Sequence, residues 1–179
     1  LYNNPFTTHV DMKPKLVAKL TRHLPNIRYI KEASMDVGRV FDIIEATEGV
    51  MNVFAGERVV ESFKLGAVGY VDPYGNYAPR ASTALFPLLQ AGRVREAIAI
   101  QHVLEEMTAI IQEGHPLYGH QCYSKALAAA AGYPVGDVRP PITSFRSLGD
   151  EGQRQIARLV PLLHKLDRLM DQFGASKAA

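Results

Sequence analysis

A chain of 179 residues, 47% apolar and 21% charged, has the make-up of an ordinary globular domain, which excludes disordered, collagen-like and disulfide-scaffold chains. The formal charge of +2 gives no electrostatic footprint for nucleic acid or for an anionic membrane. No apolar run approaches the ~18 residues of a membrane span, and the single cysteine, Cys122, has no partner within the chain, which predicts a reducing, cytoplasmic setting.

The chain opens Leu1-Tyr2-Asn3-Asn4-Pro5, without Met and without the basic, apolar and small-residue regions of a signal peptide. Leu16, Val17, Leu20 and Leu24 follow a helical period that stops at Pro25-Asn26. Ile27 to Ile30 then reads as a short strand. Val37, Val40, Phe41 and Ile44 form the stripe of a core-covering helix, stopped by Gly49. Met51 to Ala55 is a second strand, Val59 to Leu65 a short helix ended by Gly66, and Val68 to Val71 a third strand. Strict alternation of this kind predicts βαβ units and a parallel sheet. Such short apolar strands suit burial on both faces.

After about Pro79 the strand pattern stops. Ala81 to Gln90, Val94 to Gln112 and the alanine-rich Gln121 to Ala131 read as helices. Arg139-Pro140-Pro141 is an extended connector, and Asp150 with Gln153 has the spacing of a capping box. Ile156, Leu159, Leu163, Leu166, Met170 and Phe173 make a last helical stripe, open to packing on the domain or on another subunit. Pro161 should kink or restart it. Three strands make a poor sheet, whereas a closed (β/α)8 barrel needs eight strands and roughly 250 residues. With the abrupt start, this raises the expectation of a preceding portion. Gly66-Ala67-Val68-Gly69 lies before a strand and lacks the spacing of a dinucleotide turn, so it reads as a helix stop with tight packing.

Lys31 ends the run Ile27 to Glu32, and alternation puts Ile27, Tyr29 and Lys31 on one face. A lysine at the inner, C-terminal end of a parallel strand is expected among apolar neighbours. There burial disfavours the ammonium and frees an amine able to form a Schiff base. The alternative is a strand-end lysine reaching solvent. Tyr2 lies about one βα unit earlier. Two strand ends one unit apart are neighbours on a barrel rim, where a phenol beside such a lysine can relay protons; a plain rim or core tyrosine is the other reading. His115, His120 and Cys122 fit no familiar zinc spacing and read as part of a loop around Gly114, Pro116 and Gly119. Glu32, Glu105 and Glu106 read as solvated charges.

Tyr2-Asn3-Asn4-Pro5, Thr8 and Ile30-Lys31-Glu32-Ala33 together resemble the second signature of the dihydrodipicolinate synthase and N-acetylneuraminate lyase family. Ala55-Gly56, Leu65 to Gly69, Asn76, Ala78-Pro79 and Val138 to Pro141 follow in the same order. The resemblance implies an α/β fold: the second half of a (β/α)8 barrel, from the end of strand five to strand eight, followed by extra C-terminal helices. Residues 1–79 would be the barrel half, and 80–179 its last helix and the helical extension. It implies a lyase or aldolase forming a lysine Schiff base with pyruvate or a related small 2-oxo acid, usually as a homotetramer. The imine is its own electron sink, so no cofactor and no metal are implied. Lys31 matches the Schiff-base lysine, Tyr2 the proton-relay tyrosine, and Val71 the last-strand residue whose backbone lies beside the substrate. Thr7, Thr8, Gly56 and Asp72 are the further candidate substrate contacts. Asp72 can meet a substrate hydroxyl or cap a turn.

The departures are specific. Thr7 stands where dihydrodipicolinate synthases carry arginine, and Ala33 where sialic acid lyases commonly have threonine. Tyr29 replaces a small residue, Asp72-Pro73 replaces small or hydroxyl residues, and the loop after Gly56 is about two residues shorter. Two rival readings are a catalytically incomplete barrel fragment and a phosphate-binding barrel enzyme without imine chemistry.

Overall fold

The alternating strand and helix patterns of the first 72 residues become four parallel strands with helices between them. The computed structural model describes residues 1–144 and 149–175, without the side chains of residues 114–118 and 175. The chain divides into two units, Leu1–Asp72 and Pro73–Ala179.

In the first unit, β1 (Tyr2–Asn3) leads through α1 (Pro5–Thr8) and α2 (Pro14–His23) to β2 (Tyr29–Glu32). α3 (Arg39–Ala46), β3 (Asn52–Ala55), α4 (Val59–Lys64) and β4 (Gly69–Tyr70) follow. The sheet order is β1-β2-β3-β4, every pair parallel. Its core joins Val17 of α2 and Val40 and Ile43 of α3 to Ile30 of β2 and Met51, Val53 and Ala55 around β3. Val17, Ile30, Ile43 and Val53 have no exposed surface, and burial of each such side chain contributes about 1.5–3 kcal/mol.

Two boundaries differ from the sequence pattern. β2 begins at Tyr29 rather than Ile27, because Ile27 closes the turn after α2 by donating to Leu24 O. The third expected strand is reduced to Gly69–Tyr70, although Val68 N–H still donates to Val53 O and Val71 N–H to Ala55 O, both at 2.9 Å. The short helix α1 was not visible in the pattern. It forms because Pro5 presets the first helical φ and the N–H groups of Thr7 and Thr8 both reach Asn4 O.

The second unit opens with a 3-10 turn (Tyr74–Asn76) and holds α5 (Pro79–Gln90), α6 (Val94–Ala130) and α7 (Gly149–Ala175). Ile100, Val103, Leu104, Met107 and Ile111 of α6 are buried, as are Leu159, Leu163, Leu166 and Met170 of α7. These two helices pack on each other, so the last stripe is satisfied within its own unit. Arg158 of α7 meets Glu113 of α6 at 2.5 Å. The expected loop at 114–119 is instead part of α6, with its break at Gly119 (φ 71°, ψ 162°). α7 runs through Pro161 without a restart, and Asp150 lies inside its first turn rather than capping it. Arg139-Pro140-Pro141 carries no regular element, as its proline content predicted. No described helix is long and apolar enough to cross a membrane.

Candidate active site

The site is built by strand register. Tyr2 pairs with Lys31 across β1 and β2, and Lys31 with Phe54 across β2 and β3. Period-two alternation sends Ile30, Glu32, Val53 and Ala55 into the buried layer and leaves Tyr29, Lys31, Asn52 and Phe54 on the opposite face. Apolar enclosure therefore belongs to the Ile30 face. Lys31 is half-buried on the other face, beside Tyr29, which is 60% exposed in this half of the barrel. The Tyr29 ring leans towards Phe54, centroids 6.2 Å apart.

Lys31 and Tyr2 meet. Lys31 Nζ lies 3.3 Å from Tyr2 Oη and 4.5 Å from the ring centroid. Asn4 Nδ2 donates to the same phenol oxygen at 2.8 Å. With two donors on its oxygen, the phenol keeps its own O–H to direct elsewhere, which is the arrangement a proton relay needs.

The outward neighbours of this pair form a buried polar network. Asn3 is fully buried and Glu32 is 3% exposed, a correction to the reading of Glu32 as a solvated charge. Asn3 Nδ2 donates to Glu32 Oε2 at 2.9 Å, Asn3 Oδ1 accepts from Met12 N at 2.9 Å, and Glu32 Oε1 accepts from Ser34 N at 2.7 Å. Arg39, also buried, donates to Asp11 at 2.5 Å. Hydrogen bonds from Lys13, Arg39 and Asn3 hold the Asp11 carboxyl down at about 2, Lys13 most strongly.

The remaining candidates sit at strand ends or nearby. Gly56 N–H donates to Glu32 O at 2.7 Å. A Cβ on Gly56 would lie 2.5 Å from Ala33 Cβ, so this glycine is required for close approach of β2 and β3. Val71 N–H is paired with Ala55 O, and its side chain is 49% exposed; Asp72 follows it, half-buried. Thr8 Oγ1 turns to Asn4 O and Val10 O, while Thr7 is exposed on α1. Gly66 and Gly69 fit tight packing: a Cβ there would lie 2.9 Å from Ile44 Cδ1 and 2.7 Å from Phe54 Cε1 respectively.

Sequence reasoning missed Asn3, Asn4, Arg39 and Glu57. Burial lifts the Glu57 carboxyl to about 7; Glu32 and Asp36 push the same way, while the Met35 N–H and Lys31 oppose them. The signal for Asn3 and Glu32 was present, since each flanks a candidate catalytic residue on the alternate face. Away from this site, Cys122 is buried and His120 half-buried, while the His115 side chain lies outside the described residues. Among the described residues no three His, Cys, Asp or Glu gather as a metal site would require. Glu106 is exposed, but Glu105 is half-buried rather than solvated.

Residues 1–161 match the model of the dihydrodipicolinate synthetase family. A 4-hydroxy-tetrahydrodipicolinate synthase of Saccharophagus degradans is 34% identical over 146 residues, 80% of this chain and 48% of that protein. The protein of the same name from Shewanella piezotolerans is 32% identical over 151 residues, 82% of this chain and 50% of its own. The chain thus spans about half the length of the curated relatives it matches. Among solved structures, the E. coli K12 prophage protein YagE, in complex with pyruvate, superposes with a TM-score of 0.78 at 27% identity, covering 93% of this chain and 55% of YagE. The 4-hydroxy-tetrahydrodipicolinate synthase of Methylacidiphilum fumariolicum SolV gives 0.74 at 26%, covering 94% and 56%. The fold is accordingly the C-terminal half of a (β/α)8 barrel with its following helices.

Proposed function

The chain belongs to the dihydrodipicolinate synthetase family, and from that premise we propose that it carries the Schiff-base centre of a lyase or aldolase acting on pyruvate or a related small 2-oxo acid. The observation that carries this reading is the 3.3 Å approach of Lys31 Nζ to Tyr2 Oη across paired strand ends. Residues 1–79 act as the C-terminal half of the barrel, and 80–179 as its last helix and helical extension. By the same family resemblance the protein works as a cytoplasmic homotetramer.

The neutral Lys31 amine attacks the C2 carbonyl carbon, and two protons reach the carbonyl oxygen through Tyr2, one from the attacking nitrogen and one from solvent. Loss of that oxygen as water leaves a protonated imine. Its positive charge stabilises the electron pair released when a C3–H or C3–C bond breaks, giving an enamine. The enamine carbon then bonds to an electrophile or takes up a proton, and water releases the product from Lys31. Tyr2, with its oxygen held by Asn4 and Lys31, moves the protons. Val71, Thr7, Thr8, Gly56 and Asp72 are proposed to shape the substrate's surroundings.

Pyruvate with borohydride tests the assignment in the full-length protein. A stable adduct is expected on Lys31, and none in Lys31→Ala. An undiminished adduct in that variant rejects the lysine.

A further inference from the structure

Each residue of the reacting pair has an immediate neighbour on the opposite face of its strand. Tyr2 pairs with Lys31 in the register, and Asn3 pairs with Glu32. The first pair faces the site; the second is buried and joined by the 2.9 Å bond from Asn3 Nδ2 to Glu32 Oε2. A buried carboxylate is costly unless hydrogen bonds satisfy it, and here both oxygens are engaged, Oε1 by Ser34 N and Oε2 by Asn3. The Asn3 amide is used at both ends, since its oxygen takes the Met12 N–H.

The register is marked twice over, by the backbone pairing of Tyr2 with Lys31 and Asn3 with Glu32 and by the side-chain bond on the buried face. A slip of one residue would turn Tyr2 away from the site and bring Asn3 into it. Such a slip would also leave Glu32 buried without its donor. The side-chain bond thus makes one register far more favourable than its neighbours. By holding Ser34 N, Glu32 also fixes the chain just beyond Lys31.

We propose that Asn3 and Glu32 are a positioning pair whose buried hydrogen bond holds Tyr2 Oη and Lys31 Nζ in reacting register. The proposal rests on the lysine-imine reading above. Neither residue touches the reacting atoms; both act through the strand on which a reacting residue stands.

The test uses the full-length protein and pyruvate alone, following deuterium uptake from D2O into the pyruvate methyl group, a reaction that needs the imine and the proton relay but no electrophile. Rates are expressed per borohydride-trapped lysine, so a loss of folded protein does not register. Asn3→Ala removes the donor. Glu32→Gln keeps the shape but turns one engaged acceptor into a donor. Each is expected to slow saturated exchange at least tenfold while the half-saturating pyruvate concentration stays within about threefold. The reciprocal swap, Asn3→Asp with Glu32→Gln, restores a donor–acceptor pair and should recover the rate to within about threefold of the parent.

Exchange per trapped site within twofold of the parent in both single variants overturns the proposal, as does a swap no better than the singles. If the singles do not fold, the swap decides: folded and exchanging it supports the pair, unfolded or inactive it overturns it. Lys31→Ala runs alongside. An adduct that persists there sinks the imine reading and this proposal together, whereas a lost adduct with unaffected pair variants sinks this proposal alone.

Discussion

The Tyr2 phenol oxygen accepts from Asn4 at 2.8 Å and lies 3.3 Å from Lys31 Nζ, which leaves its own O–H to be directed towards a substrate in the proposed relay. Tyr2→Phe keeps the ring beneath Lys31 and removes only the hydroxyl. Turnover is expected to fall by on the order of 10²-fold or more with little loss of stability, read as kcat beside a melting curve; full activity would return Tyr2 to a packing role. Glu57 offers a different readout. Its carboxyl is lifted to about 7, chiefly by burial. In the unfolded chain it ionises at the ordinary value, so between about 4.5 and 7 the folded state holds a proton that the unfolded state has lost. Stability from this group is fully present below that window, declines as pH rises through it, and is flat above it. Discounted for its partial exposure, the effect is about 1–2 kcal/mol. Glu57→Gln should flatten that stretch of a stability-versus-pH curve, and an unchanged slope would remove Glu57 as its source. That Tyr2 and Lys31 stand side by side was legible from their spacing by one βα unit and from period-two alternation, while their proposed roles come from the family resemblance. Glu32 carried the same alternation, which turns it inward, but its partner Asn3 lies 29 residues away and only register brings it alongside.

At the scale of the elements, the ends of β2 and β3 come together because Gly56 has no side chain. A Cβ there would meet Ala33 Cβ at 2.5 Å, Glu32 O at 2.8 Å and Ala33 Cα at 3.0 Å. Two of these three are backbone atoms, which cannot swing aside as a flexible side chain can. The contact stands immediately after Lys31, so strain relieved by parting the strands would move the amine. Gly56→Ala is expected to cost about 1–3 kcal/mol by overpacking and to lower the melting temperature by several degrees, with reduced borohydride trapping at Lys31. A melting temperature equal to the parent's would refute the close-approach account. Apart from α1, helix and strand order were readable in these elements, because amphipathic stripes of period 3.6 and short apolar runs differ strongly. The break expected between two helices is present at Gly119, but it is confined to that residue, whereas glycine and proline at 114–119 predict a longer loop. Asp150 misled in the same local way: the capping spacing matched, but Asp150 already stands within the first turn of α7, after Gly149 with its φ of 59°.

For the molecule as a whole, family membership defines the barrel half and leaves the second substrate open. The order of strands was legible from alternation, whereas the last apolar stripe left its partner open, and the structure supplies it as α6. Substrate choice is harder to read, since it depends on side chains at loop ends that no periodicity constrains. Thr7 is exposed on α1. Its hydroxyl cannot form the bidentate, charge-assisted pair that an arginine makes with a carboxylate. Missing such a contact lowers selectivity for a partner that carries a carboxylate. Arg58 follows the shortened loop after β3 and is the alternative cation to look to; it is held 3.0 Å from Glu61 at the start of α4. The full-length enzyme is therefore expected to condense pyruvate poorly with aspartate semialdehyde and to favour partners bearing hydroxyl or uncharged groups, with Thr8 and Asp72 as the neighbours to meet them. Comparing kcat/KM for aspartate semialdehyde with that for uncharged hydroxyaldehydes checks this. A value for the semialdehyde at or above ~10⁴ M⁻¹s⁻¹, the low end for ordinary enzymes, would show that another cation, Arg58 first, supplies the charge that Thr7 lacks; Arg58→Gln would then lower that value at least tenfold.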